Sequence, residues 1–284
     1  MESTKNIVLR GEIFDFCPPI VMAIINITPD SFFSESQCNE EKMIIERAEK
    51  AIKDGAKILD IGGYSTRPNA DFVSENEEIS RICRALEIIR KNFPEIPVSV
   101  DTFRSKVAEI AVNQYNVDMI NDTSGGMFDQ NMLPTVAKLN RPYVLMHTKG
   151  TPQNMQQMTD YEDLTADILK YFSEKIENLR NFGFTSDIII DLGFGFAKTM
   201  EQNYQLMREL SVFECFNLPI MVGISRKSMI YNLLGTTPQA ALNGTTALHT
   251  IALLNGANIL RTHDVKEAVE TVKIVEELGV RNEE

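Results

Sequence analysis

Short apolar runs rich in Ile and Val alternate along this chain with longer amphipathic stretches. A run that is apolar at every position has to be buried on both faces, the situation of a strand in a parallel sheet covered by helices. Such runs at 20–25, 57–61, 98–101, 118–121, 143–146, 188–191, 220–223 and 258–261 predict eight strands. That number of repeated βα units matches a closed (β/α)8 TIM barrel, which typically takes about 250 residues. At 284 residues the chain is also long enough for two ordinary domains, but no linker or low-complexity tract interrupts the alternation. The expectation is therefore an α/β fold, one barrel domain over residues 1–284. Residues 6–16 alternate apolar and polar positions and stop before Pro18 and Pro19, which predicts a β-hairpin plugging the bottom of the barrel.

The intervening segments carry apolar stripes at helical spacing, such as Met43, Ile44, Ala48, Ala51 and Ile52, and Ile168, Leu169, Phe172, Ile176 and Leu179. These stripes are core faces. Asp54 with Gly55, and Gly183 after a helix expected over 161–182, sit where helices should stop. A net charge of -12 argues against general binding of nucleic acid or anionic membrane, so an anionic substrate has to meet a local cationic patch. Cys17, Cys38, Cys83 and Cys215 lack the close pairing of a zinc or redox motif and read as reduced thiols. No stretch reaches the roughly 18 apolar residues of a membrane span, and the first ten residues lack the apolar core of a secretory signal. A cytoplasmic location is expected.

Polar residues stand just after the apolar runs: Asn26, Thr66, Asp101, Asn121, His147, Asp191, Lys227, Arg261 and His263. In α/β folds such positions project from the carboxyl ends of the strands, where ligands bind. Each residue alone has an ordinary explanation. Asn26 before Thr28 and Pro29 suits a turn, Asp101 and Asp191 suit caps of the following helices, and Arg261 and His263 suit a surface ion pair and a cap.

Four strings at strand-to-loop junctions shift the balance by occurring together: NITPDSF from Asn26, DIGGYSTRP from Asp60, DLGFGF from Asp191, and SRKS from Ser225. With Arg261, Thr262 and His263, they resemble the dihydropteroate synthase family from about residue 10 to residue 270. The resemblance implies a (β/α)8 barrel that joins 7,8-dihydropterin-6-ylmethyl diphosphate to p-aminobenzoate, releasing pyrophosphate on the way to folate. It implies Mg2+ as cofactor with Asn26 as the protein contact, a neutral amide oxygen suiting a cation whose other ligands are water and phosphate. Arg261, Thr262 and His263 are implied at the pyrophosphate, Asp101, Asn121, Met146, Asp191 and Lys227 at the pterin, with Ile120 as a further apolar contact. Thr66, Arg67, Pro68, Phe196 and Ser228 are implied around p-aminobenzoate. Asp101, Lys227, Arg261 and His263 are the expected catalytic set. The family further implies a homodimer through the last helices and competition by sulfonamides.

Three departures from the family pattern are visible. Ser34 and Glu35 stand where an Asp-Gly-Gly run is usual, Tyr64 stands for a common Glu, and Ala197 replaces the usual Gly before Lys198. Ala is tolerable at that last position if its φ is negative. Two other readings stay open on sequence: a pterin-binding methyltransferase serving a corrinoid partner, and a noncatalytic pterin-binding relative.

Overall fold

The computed structural model describes residues 5–27, 37–64, 72–151 and 154–279. The first elements form a hairpin, with β1 (Asn6–Leu9) antiparallel to β2 (Glu12–Asp15). Arg10 and Gly11 make the turn at positive φ, 56° and 82°. From there strands and helices alternate: β3 (Ile20–Asn26), α1 (Gln37–Lys53), β4 (Ile58–Gly62), α2 (Glu75–Asn92), β5 (Val98–Asp101), α3 (Ser105–Tyr115), β6 (Met119–Asp122), α4 (Met132–Leu139), β7 (Tyr143–Met146) and α5 (Leu164–Asn181). The second half continues with β8 (Ile188–Asp191), α6 (Met200–Arg208), β9 (Ile220–Val222), α7 (Ser228–Tyr231), α8 (Leu242–Leu254), β10 (Ile259–Thr262) and α9 (Val265–Glu277). Strands β3 to β10 pair in parallel, each with the next, and β10 closes on β3. The expected (β/α)8 barrel and its hairpin are both present.

Several ends differ by a residue from the sequence expectation. β4 runs 58–62 rather than 57–61, β6 runs 119–122 rather than 118–121, and β10 runs 259–262 rather than 258–261. The polar residues Asp122 and Thr262 remain in the ladder because backbone pairing, not side-chain polarity, ends a strand. α5 begins at Leu164 rather than 161, because the Asp163 carboxylate accepts the Thr165 and Ala166 amides and so fixes the first turn there.

Successive residues of a strand face opposite sides. Residues such as Val21, Leu59, Val100, Ile120, Leu145, Ile190, Val222 and Leu260 point outward into the layer between sheet and helices. Their neighbours point inward. Near the amino ends of the strands the inward residues are apolar: Met22, Ile58, Met119, Val144, Ile189, Met221 and Ile259. Ile7, Leu9 and Phe16 of the hairpin segment pack against this set, each no more than 2% exposed. The hairpin thus closes the bottom, where an open barrel end would leave apolar side chains wet. Outward Ile120 is part of the helix-facing core, which corrects its expected place in a ligand pocket.

Candidate active site

The same inward positions change character two residues further along. Asp60, Asp101, Asn121, Met146, Asp191 and Arg261 follow Ile58, Ser99, Met119, Val144, Ile189 and Ile259 at a spacing of two, so all six side chains face the interior at the carboxyl end. A largely polar layer, with Met146 as its apolar member, therefore lies on a floor that is apolar except at Ser99.

Arg261 organises it. Its Nε lies 2.6 Å from Asp60 Oδ2 and its Nη2 2.5 Å from Asp101 Oδ2, while Asp60 Oδ2 also accepts from Asn121 Nδ2 at 2.9 Å. Since the Asn121 NH2 group is directed at Asp60, its carbonyl Oδ1 faces elsewhere, and that buried atom has no hydrogen-bond partner. Asp60 Oδ1 is likewise buried and unpartnered. Native interiors leave few such atoms unpaired. Burial pushes the Asp101 carboxyl up to about 7, with Arg261 opposing the shift and Asp60 adding to it. Burial disfavours the Arg261 charge, but the two facing carboxylates outweigh it and keep the guanidinium protonated.

Asp191 is the second carboxylate of the layer. Its Oδ1 accepts the Gly193 amide at 2.8 Å, and burial raises its pKa against the pull of Lys227. Neither Asp101 nor Asp191 caps a helix. The residue preceding α3 is Arg104, without a side-chain cap bond, and α6 is closed by a reciprocal capping box between Thr199 and Gln202. Lys227 precedes the single turn of α7, donates to the Phe194 carbonyl at 2.6 Å, and lies 4.8 Å from the centre of the Phe196 ring. Ser228 is exposed at the start of that turn.

His263 is exposed, with Nδ1 3.3 Å from Ser225 Oγ. Arg261 and His263 leave the strand on one side, as their spacing predicts, and Thr262 lies between them on the other. The Thr262 side chain is fully buried and its hydroxyl accepts the Asp264 amide at 3.0 Å. Arg226, inside the SRKS string, is bound by both oxygens of Asp264 and stands at φ 55°. It supports the loop rather than lining the site.

Asn26 ends β3 beside Gly62. A Cβ at Gly62 would meet Asn26 Oδ1 at 3.2 Å and Asp101 Oδ2 at 3.7 Å, so the missing side chain leaves a cradle edged by oxygen atoms. Hard cations such as Mg2+ take oxygen donors of this kind. Among the described residues no group of three or more His, Cys, Asp or Glu side chains could hold a metal, so such an ion would need water and ligand oxygens as well. Thr66, Arg67 and Pro68, and also Ser34 and Glu35, lie outside the described residues. Tyr64 is buried, its ring edge-on to Phe103 at 5.2 Å and 5.4 Å from the Arg104 guanidinium. Ala197 has φ 49°, so the tolerant negative-φ case does not apply and the residue carries a left-handed backbone.

The residues matched by a family model described as "Pterin binding enzyme" run from 22 to 263. Over 260 residues the chain is 40% identical to the dihydropteroate synthase of Synechocystis sp., covering 91% of this chain and 89% of that one. It belongs to the dihydropteroate synthase family. Among solved members of the family, the Yersinia pestis enzyme in a sulfonamide drug complex superposes with a TM-score of 0.89 at 40% identity, covering 96% of this chain and 98% of that one. The Xanthomonas albilineans dihydropteroate synthase with 4-aminobenzoic acid gives 0.86 at 32% identity, over 97% and 98%. Within this family fold, the sequence reading missed Asp60 and Lys198 as members of the polar layer and its support. Asp60 was detectable: it ends the apolar pair Ile58 and Leu59 and has the two-residue period of Asp101 and Asp191. Lys198 had no local signal of burial.

Proposed function

We propose that the chain is a dihydropteroate synthase that condenses 7,8-dihydropterin-6-ylmethyl diphosphate with p-aminobenzoate, giving 7,8-dihydropteroate and pyrophosphate. The observation that carries this reading is the buried layer of Asp60, Asp101, Asn121 and Asp191 at the carboxyl mouth of the barrel, with Arg261 hydrogen-bonded to Asp60 and Asp101. A pterin edge alternates donors and acceptors, and Asp191 with the unpartnered Asn121 Oδ1 offers acceptors to its amino and N–H groups. Lys227 donates to ring oxygen or nitrogen, and Met146 supplies an apolar wall.

Arg261 uses Nε and one Nη2 donor on its carboxylates, which leaves the Nη1 donors for an anion. With His263 it stabilises the charge that develops as the bond between the pterin methylene and the diphosphate oxygen breaks. Asn26 would offer its amide oxygen to a Mg2+ ion, which would supply further charge neutralisation at the leaving group. The exocyclic methylene is left cationic, and the ionised Asp101 lowers the energy of that cation. The aryl amine of p-aminobenzoate is unprotonated near neutral pH, attacks the methylene through its lone pair and then loses a proton, so no strong base is required. The family resemblance assigns Phe196, Pro68 and Ser228 to the aromatic acid, with Thr66 and Arg67 in the loop beside it. A single domain, a cytoplasmic setting and a homodimer complete the reading; exposed Ile251, Leu254, Ile274 and Leu278 on the last helices support the dimer.

Purified protein is mixed with Mg2+ and the pterin diphosphate, with and without p-aminobenzoate, and both pyrophosphate and pterin products are measured. Dihydropteroate at the expected mass confirms the reaction. Binding of both ligands without product points to a noncatalytic relative, stimulation by cobalamin points to a methyltransferase, and absence of binding overturns the pterin assignment.

A further inference from the structure

Lys198 is 3% exposed, yet no carboxylate forms a salt bridge with its ammonium among the described residues. Its Nζ instead lies 3.0 Å from His147 Nδ1, 3.0 Å from the Gly193 carbonyl and 2.9 Å from the Phe196 carbonyl. Three N–H donors thus meet three neutral acceptors. Burying an ammonium without an ion partner is unfavourable, and two of its three acceptors here belong to one short turn.

The turn joins two parts of the site. Gly193 N–H holds Asp191 Oδ1 at 2.8 Å, and Phe196 N–H closes the turn on the Gly193 carbonyl at 3.0 Å. Asn203 Oδ1 takes the Gly195 amide at 2.6 Å, and Lys227 takes the Phe194 carbonyl at 2.6 Å. A Cβ on Gly193 would stand 2.0 Å from the His147 carbonyl, so the turn packs closely against the end of β7. His147 is buried edge-on to Tyr171 at 4.8 Å, and burial together with the Lys198 and Lys149 charges holds its pKa well below the usual histidine range. It therefore stays neutral, and in the tautomer with its proton on Nε2 it accepts from Lys198 at Nδ1.

We propose that Lys198 is a positioning residue that fixes residues 193–196, so that the Asp191 carboxylate and the Phe196 ring keep one geometry for the two substrates. This rests on the reading above, in which Asp191 faces the pterin and Phe196 faces p-aminobenzoate. The two halves of the site then share one buried support, and its loss weakens both ligands together. Burial pulls the Lys198 pKa well below the usual lysine range while the Asp191 charge pulls it up, and in its protonated form Lys198 in turn helps to keep that carboxylate ionised.

Lys198→Met removes the charge and all three donors at nearly unchanged volume. Its KM for the pterin diphosphate and its KM for p-aminobenzoate are each expected to rise by about tenfold, and the acid limb of pterin affinity is expected to move to higher pH. Lys198→Gln keeps two N–H donors on a shorter arm and is expected to recover part of both KM values while keeping the pH displacement. It also decides the question if the Met variant fails to fold. Wild-type KM values in a folded variant, or a loss confined to melting temperature, overturn the proposal. A rise for only one substrate does so too. If the unmodified protein makes no dihydropteroate, the functional reading fails rather than the role of Lys198.

Discussion

Replacing Asp60 by Asn tests the electrostatic balance of the polar layer, because it preserves shape and removes one charge. Asp60 is fully buried and its Oδ2 takes Arg261 Nε at 2.6 Å and Asn121 Nδ2 at 2.9 Å. The Arg261 guanidinium keeps Asp101 at 2.5 Å, so it is not orphaned. The stability cost is therefore about 1–3 kcal/mol, the loss of one charge-assisted hydrogen bond, rather than the larger cost of stranding a buried charge. The second effect falls on Asp101, raised to about 7 chiefly by burial, with Arg261 lowering and Asp60 raising it. Removing the Asp60 charge takes away a repulsion and leaves Arg261 to a single carboxylate, so both changes lower the Asp101 pKa.

The consequences can be read by two methods. A carboxyl whose pKa is raised on folding, here from 3.8 to about 7, contributes stability at low pH that is lost as pH rises through that window. Asp60→Asn should reduce this loss, seen as a shallower fall in denaturant midpoint from pH 4 to pH 7. Single-turnover product formation should also reach its plateau at lower pH, since ionised Asp101 is the form that stabilises the cation. An unchanged or upward-shifted pH midpoint in a folded variant refutes the reasoning.

Asp101→Asn should slow the single-turnover chemical step more than it weakens pyrophosphate binding; the opposite order removes its cation role. Buried His249 has an unpartnered Nε2 and a pKa lowered by burial to about 4, so its stabilising effect is present above the ordinary 6.5 and lost as pH falls through the lower value. His249→Leu should flatten that acid loss, worth about 3 kcal/mol at most, and equal acid sensitivity in variant and parent would count against it. Phe16→Ala should cost about 3–5 kcal/mol in denaturant unfolding by leaving a cavity at the barrel floor, while p-aminobenzoate affinity stays unchanged in the folded protein. A large affinity loss with little unfolding penalty would show that the hairpin does not act as a plug.

Much of this site was legible before any coordinates. Asp101 and Asp191 could be found because each is the first charged residue after an apolar run and ends its strand. The place of Asn121 followed from the same rule. Asp60 escaped because Ile61 extends its run, although the two-residue period of 58, 60 and 62 puts it on the inward face with the polar layer. Ile120 was misplaced for the converse reason: closeness in sequence to Asn121 says nothing about which face it occupies.

The alternation of apolar runs and amphipathic stretches determined the barrel by itself, since uniformly apolar strands require cover on both sides and repeated βα units close most simply on themselves. The resemblance to the family likewise implied Asn26, Asp101, Asn121, Asp191, Lys227 and Arg261 as site residues. Only the tertiary structure decided which charges meet. Arg261 and Asp60 are 201 positions apart, and Lys198 and His147 are 51 apart, so their pairing depends on barrel closure and on inward or outward facing. The left-handed Ala197 and the outward Thr262 belong to the same class: backbone angle and strand face are imposed by neighbours distant in the chain, and no local string encodes them.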